Sequence, residues 1–330
     1  MIDFTSTRMR RAVATGAAAA SFLLWQQADS GAGVASASSG RSPRRDGAQP
    51  SQPDGQPAKV DRMLRWREKW EAGVTRWHLS YPHPLLKQYD VELLGPVVGR
   101  EAQSILLPLC GKSVDLGYLA RRGHDVVGVE GVGLAIDALL RDWGEELTVP
   151  RPHWISEESR PSSIRVRMGR AGWYQKMASE QLGKTETGTP YTTAELLRVV
   201  EGDFLQLSPQ MLADFGLGQF EPARGATNGT FDAAFDRGAL VAVNPADRPQ
   251  YAEVLTSLIC PGGKVLLVAV EHEPFFGPPF SLTHEQVTTL FSDHFEVQLL
   301  QREDTLDKEP SWRERGATKF EEVAYLLTKR

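Results

Sequence analysis

Four residues stand where an open parallel sheet does its chemistry. Leu109, Glu130, Asp203 and Arg237 each fall at the predicted carboxyl end of a different strand, and ligands in such sheets lie outside those ends. Glu130 is the most informative. It closes the apolar run Asp125 to Val129, some twenty positions after a turn at Gly111, and an acid so placed suits hydrogen bonding to the two hydroxyls of a ribose. The alternative is that it caps the next helix. Arg237 sits in Asp236-Arg237-Gly238, where Asp236 is either its local ion-pair partner or a cap for the following turn. Asp203 lies between Gly202 and Phe204, as part of a site or as a turn cap. Three tryptophans, Trp66, Trp70 and Trp77, precede the first strand. Aromatic faces attract cations, which suits a lid over a ligand; the same rings also suit a staple that fixes a terminal helix to the core.

The elements that must position these residues are readable from period and punctuation. Ser104 to Leu109 is an apolar run with the length of a buried strand. Gly111 turns it sharply, and Ser113 can cap the helix that follows, with Val114, Leu116, Leu119 and Ala120 as its apolar face. Gly123 ends that helix, and Asp125 to Val129 completes one βαβ unit. The helix N-terminus suits an anionic group such as a carboxylate. The turn, Pro108-Leu109-Cys110-Gly111-Lys112, lacks the G-x-G-x-x-G fingerprint. That lowers the odds of a pyrophosphate ligand, and with it those of a nicotinamide-dependent oxidoreductase.

Val60 to His78 reads as the first structured element: a helix capped by Asp61, with Met63, Trp66 and Trp70 at helical spacing and Gly73 as its stop, then a loop carrying Trp77 and His78. Further strands are expected at Ile164 to Met168, Leu197 to Val200, Phe231 to Asp236, Lys264 to Val270, Phe295 to Leu300 and Glu322 to Thr328. Helices are expected at Gly133 to Trp143, at Asp247 to Leu258, and after Thr283, which has Gln286 in the capping-box position. Gly172 to Leu182 suits another helix. Phe275, Phe276 and Phe280 stand in a proline-rich loop, either walling a pocket or packing beneath the loop. The charged stretch Arg302 to Phe320 either folds over the site or is a solvated loop.

Composition narrows the class. The chain has 330 residues, 41% apolar and 24% charged, as in a soluble globular protein. A net charge of -5 gives no reason to expect nucleic acid as a partner. Cys110 and Cys260 form neither a zinc-spaced pair nor a disulfide framework. His78, His124 and His272 have no ligand spacing, so no metal is expected. Residues 1–58 are rich in Ala, Ser, Gly, Arg and Pro and stand apart as a disordered or targeting extension. Within them, Ala12 to Trp25 is too short and too alanine-rich for a confident transmembrane span. The expectation is a soluble protein of the cytoplasm or of an organelle, plastid or mitochondrion, with no stable membrane span in the mature domain.

Five motifs occur in a fixed order: W-R-E-K-W-E-A-G-V-T-R-W-H, L-L-P-L-C-G-K-S-V-D-L-G-Y-L-A, G-H-D-V-V-G-V-E, F-D-A-A-F-D-R-G-A-L-V-A-V-N-P-A-D-R and G-P-P-F-S-L-T-H-E-Q-V. Together they resemble the thiopurine S-methyltransferase family, class I methyltransferases that use S-adenosylmethionine. The resemblance covers most of residues 61–330. It implies an α/β, Rossmann-like domain over residues 59–330, built on a seven-stranded, mostly parallel sheet with helices on both faces. The family usually crosses the middle with fewer residues, which implies an insertion near residues 165–195. By the same resemblance, Trp66, Trp70 and Trp77 cover the cofactor and Leu109 lies beside its methionine part. Glu130 takes the ribose, Asp203 and Phe204 bracket the adenine, and Arg237 lies near the methyl-transfer site. Methyl transfer to a thiolate calls for a cation to hold the acceptor, and Arg237 is assigned that catalytic role. The implied acceptor is an aromatic or heterocyclic thiol, thiopurine-like. A halide, or an inorganic sulfur, selenium or tellurium species, also suits a compact pocket, and a non-catalytic S-adenosylmethionine-binding protein is the alternative of another class. A monomer with a small-molecule thiol or chalcogen partner is expected.

Overall fold

The computed structural model describes residues 62–75, 77–96, 102–147, 164–171, 196–221, 226–308 and 310–330. The extension at 1–58, Asp61, the helix expected from Gly172 and most of the expected insertion lie outside the described residues. The chain opens on three short helices, α1 (Leu64–Glu71), α2 (Pro84–Gln88) and α3 (Asp90–Leu94). The expected βαβ unit follows as β1 (Ser104–Leu107), α4 (Asp115–Arg121) and β2 (Asp125–Glu130). Next come α5 (Gly133–Trp143), β3 (Gly144–Leu147), β4 (Arg165–Ala171), β5 (Leu196–Glu201) and α6 (Pro209–Ala213). A small hairpin of β6 (Phe220–Glu221) and β7 (Ala226–Thr227) leads to β8 (Phe231–Arg237), α7 (Arg248–Leu258) and β9 (Ile259–Glu273). The chain ends with α8 (His284–Phe291), β10 (Phe295–Asp304), α9 (Pro310–Glu314) and β11 (Lys319–Lys329).

Nine strands form one sheet in the order β10-β11-β9-β8-β1-β2-β5-β4-β3. β5, β2, β1, β8 and β9 pair in parallel, and β11 runs antiparallel between β9 and β10. These seven are the expected sheet. β4 and β3 extend it antiparallel beyond β5. β4 was legible from its alternation. β3 was not, because Gly-Glu-Glu-Leu carries no apolar pattern to mark it as a strand.

Both faces are covered, which is why the central strands read as continuous apolar runs. Leu106, Val127, Val129, Ala234, Val265 and Leu267 point to one side, against Tyr251, Leu255 and Leu258 of α7 and Val287 and Phe291 of α8. Ile105, Leu107, Val126, Ala233, Phe235, Leu266 and Val268 point to the other, against Leu116 and Leu119 of α4 and Ile136, Leu139 and Leu140 of α5. Each fully buried Val, Leu, Ile or Phe among them stabilises the fold by roughly 1.5–3 kcal/mol, so the sheet is a rigid base for the loops at its carboxyl edge. Local signals hold in part at the helix ends. Thr283 and Gln286 form the expected capping box. The Ser113 cap expected for α4 is not formed: Val114 stands at the N-cap with no side-chain cap bond, and Ser113 Oγ instead accepts from the Asp115 amide at 3.2 Å within the turn before the helix. Gly73, at φ +68, follows the end of α1.

The stretch Arg302 to Phe320 takes neither expected form. Its first residues lengthen β10, where Arg302 pairs with Glu271 and Glu321. Trp312 is fully buried and stacks on Phe320 at 4.1 Å and on Phe276 at 5.7 Å.

Candidate active site

The carboxyl ends of β1, β2, β5 and β8 meet at a cavity of about 410 Å³, a size suited to a small molecule. Leu109, Glu130, Asp203, Phe204 and Arg237 line it, together with Trp66, Trp70 and Trp77 from the N-terminal segment. The eight residues singled out from the sequence therefore converge on one space, although they come from five separate parts of the chain.

The turn after β1 is shaped by close approach. Leu109 holds φ at 45°, a left-handed conformation that costs a non-glycine residue roughly 1–2 kcal/mol. Gly111 follows at φ +52, and a Cβ there would stand 2.6 Å from His78 Nε2. His78 explains the crowding. Its Nδ1 lies 2.8 Å from the Thr75 carbonyl and so carries the proton, while Nε2 accepts from the Lys112 amide at 3.2 Å. Burial pushes the His78 pKa down to about 3, against the Thr75 bond and with help from the positive charges of Lys112 and Arg237. A neutral imidazole thus pins the loop after Trp77 to the turn after β1. No sequence signal marks this role, since a single histidine has no spacing to read.

Glu130 closes the same turn from the other side. Its Oε2 accepts from the Gly111 amide at 2.9 Å and its Oε1 from the Val132 amide at 2.8 Å. Burial raises its pKa, opposed by bonds from the Val132, Gly111 and Gly131 amides. A carboxylate offers about four acceptor positions, so these three backbone bonds still leave capacity for a ligand hydroxyl.

Arg237 ends β8 and donates from Nη1 to the Trp77 carbonyl at 2.7 Å. Burial lowers its pKa, against the negative fields of Asp115, Glu322 and Tyr81; an arginine stays charged under such a shift. Asp236 takes the capping alternative: its Oδ1 accepts from the Leu240 amide at 3.1 Å and its Oδ2 from the Tyr251 hydroxyl at 2.6 Å. Burial lifts the Asp236 pKa to about 6, the Tyr251, Leu240 and Ala239 bonds opposing.

The tryptophans form an interlocked group. Trp77 meets Trp66 edge-on at 5.6 Å and Trp70 edge-on at 6.1 Å, and Trp70 lies 5.1 Å from the His78 ring. Asp203 also caps: it accepts from the Leu205 amide at 3.1 Å and from Gln206 Nε2 at 3.2 Å. Phe204 is buried beside Tyr251, ring centres 4.8 Å apart. Phe275, Phe276 and Phe280 do not wall the cavity; from their loop Pro279 does. Phe276 packs beneath the loop on the His272 ring at 4.0 Å. Sequence reasoning passed over other lining residues, among them Arg62, Met63, Asp115 and Asp247.

Residues 62–171 and 214–330 match the family model described as thiopurine S-methyltransferase. The chain belongs to that family. It is 30% identical to a thiopurine S-methyltransferase of Bordetella petrii over 264 residues, covering 79% of this chain and 96% of that one. It is 31% identical to the thiopurine S-methyltransferase of Bos taurus over 279 residues, covering 83% and 93%. With a probable thiopurine S-methyltransferase of Danio rerio it shares 30% identity over 277 residues, covering 82% and 97%. Residues 172–213 lie between the two matched segments.

The protein is an S-adenosylmethionine-dependent methyltransferase, and the residues present fit that cofactor. Glu130 keeps acceptor capacity for a ribose hydroxyl beside its amide bonds. The tryptophan faces suit a sulfonium cation. Gly111, Gly131 and Gly202 let the backbone line the cavity closely.

Proposed function

We propose that this methyltransferase acts on a thiol, aromatic or heterocyclic and of thiopurine type. Arg237 carries the reading. It is a guanidinium at the carboxyl end of β8, tied to the Trp77 carbonyl, and it shares the cavity with the apolar residues Leu79, Val241, Val243, Val270 and Pro279. Apolar walls with one cation suit a flat, sulfur-bearing anion.

S-adenosylmethionine, when bound, supplies an already activated methyl group. The protein then has to bind, orient and keep water out. Glu130 receives the ribose hydroxyls. Leu109 lies along the methionine part, and Phe204 and the Asp203 backbone lie along the adenine. Asp203 fits the backbone role because its carboxylate is spent on the Leu205 amide, Gln206 and Arg62. Trp66, Trp70 and Trp77 cover the cofactor and exclude water. Arg237 holds the acceptor sulfur as its anion. A free thiol ionises near pH 8.5 and an aromatic one more readily, so no strong base is needed. His78 is not placed as one: both ring nitrogens are engaged and its pKa lies near 3.

The test is transfer of labelled methyl from S-adenosylmethionine to thiophenol, a mercaptopurine, hydrosulfide, selenite and iodide. Transfer to the two aromatic thiols is expected, with loss in Glu130→Ala. Arg237→Ala should raise KM for the thiol or lower kcat while leaving cofactor affinity within about threefold. Transfer to iodide or selenite alone overturns the thiol reading, and equal losses in acceptor and cofactor steps overturn the role of Arg237.

A further inference from the structure

The N-terminal helix touches three rims of the cavity through residues for which no role has been assigned above. Arg62 precedes α1 by two positions. Its Nη1 lies 3.4 Å from Asp203 Oδ2, beyond the carboxyl end of β5, and its Nε lies 3.7 Å from Asp247 Oδ2, at the start of α7. Arg65 Nη2 donates to the Gly277 carbonyl at 3.2 Å, in the loop after β9. Met63 sits against Gly131, after β2, so closely that a Cβ there would stand 2.3 Å from its sulfur. Trp66 and Trp70 belong to the same helix and line the cavity.

We infer that Arg62 is a positioning residue, a latch between two acids that holds the Trp66–Trp70 helix closed and sets how long S-adenosylmethionine stays bound. The inference rests on the proposed covering role of these tryptophans. Three observations support it. First, α1 has eight residues and none is buried. A helix this short does not persist without its contacts, so its position depends on the few groups that tie it down. Second, the three side chains of the latch are 27%, 21% and 27% exposed. Ion pairs at such exposure contribute little to global folding, so losing them frees the helix locally without unfolding the sheet. Third, Asp203 and Asp247 belong to different elements, and Arg62 bridges them across the mouth. One guanidinium thereby ties the lid to both the β5 end and the α7 end of the site.

The off-rate is the readout that isolates the latch, because uncovering two acids also alters the approach of a cationic cofactor. The experiment uses the full chain loaded with S-adenosylmethionine. Dissociation is followed by tryptophan fluorescence after stopped-flow displacement, with thermal unfolding recorded alongside. Arg62→Ala should raise the dissociation rate about five- to tenfold while Tm moves by less than about 2 °C. Arg62→Lys, which keeps the charge, should recover most of the difference. In the Asp203→Asn, Asp247→Asn background, adding Arg62→Ala should change nothing further. Added salt should speed dissociation from the unaltered protein and leave Arg62→Ala nearly unaffected. An unchanged rate in Arg62→Ala overturns the latch, as does an equal rise in Arg62→Lys or a full further rise in the double-Asn background. If the unaltered protein binds S-adenosylmethionine and Glu130→Ala does not, those results bear on the latch alone. If the unaltered protein does not bind it, the covering role falls as well.

Discussion

Asp236→Asn removes a titrating proton from directly beneath the site. The Asp236 carboxyl is 0% exposed, and burial lifts its pKa from 3.8 to about 6. The folded chain therefore keeps this proton to a higher pH than the unfolded chain does. The stability that follows is complete below about pH 3.8 and is lost as the pH rises through about 6. The two midpoints lie about 2.2 pH units apart, and each unit is worth about 1.4 kcal/mol, so the whole effect is about 3 kcal/mol. Between pH 5 and pH 8 the part lost is about 1.4 kcal/mol. Asparagine keeps the shape: its Oδ1 can accept from the Leu240 amide and its Nδ2 can donate to the Tyr251 hydroxyl oxygen. Urea unfolding of both proteins at the two pH values is the assay, and the quantity read is the difference between them, which cancels the other titrating groups. Wild-type stability minus variant stability should fall by about 1.4 kcal/mol from pH 5 to pH 8. A difference that stays constant, or rises, refutes the assignment of a buried, proton-retaining Asp236.

Gly111→Ala should destabilise by about 1–3 kcal/mol in urea unfolding, because φ is +52 and the new Cβ meets His78 Nε2 at 2.6 Å; a loss below about 0.5 kcal/mol would mean that the His78 pin yields freely. Glu130→Gln should cost about 1–3 kcal/mol of stability, since an amide cannot accept from both the Gly111 and Val132 amides without turning a donor toward one of them. The same variant should weaken S-adenosylmethionine binding by at least about tenfold in a calorimetric titration, and unchanged affinity would remove the ribose role. His78→Phe should shift cofactor affinity more than Lys112→Ala does, because the ring and not the lysine side chain holds the turn; the comparison is again by titration, and the reverse ranking would count against the pin.

The parallel centre of the fold was legible because its signals are local and redundant. Ser104 to Glu130 carries a strand-length apolar run, a turn glycine, a serine at the helix start and a glycine at its end, and each agrees with the others. The rule that ligands lie at strand carboxyl ends then placed Leu109, Glu130, Asp203 and Arg237 together with no knowledge of their contacts. What stayed hidden depends on pairing across long stretches. Nothing in Gly144 to Leu147 foretells a strand, because its pairing comes from β4, more than twenty residues on. Asp203 looks like a site residue, yet three polar partners already occupy its carboxylate. Trp312 stands in a charged segment, and only the stack of Phe276 and Phe320 shows why it is buried. His78 and Arg62 act through the Lys112 amide and through two distant acids, and no spacing encodes such partners.

The bond from Arg237 to the Trp77 carbonyl couples two proposed roles. On those roles, Trp77 belongs to the segment that covers the methyl donor and Arg237 is the handle for the acceptor, so the handle is steadied by a piece of the cover. A shift of the Trp77 main chain would then carry the Arg237 guanidinium with it, and filling one site would be felt at the other through a single main-chain oxygen.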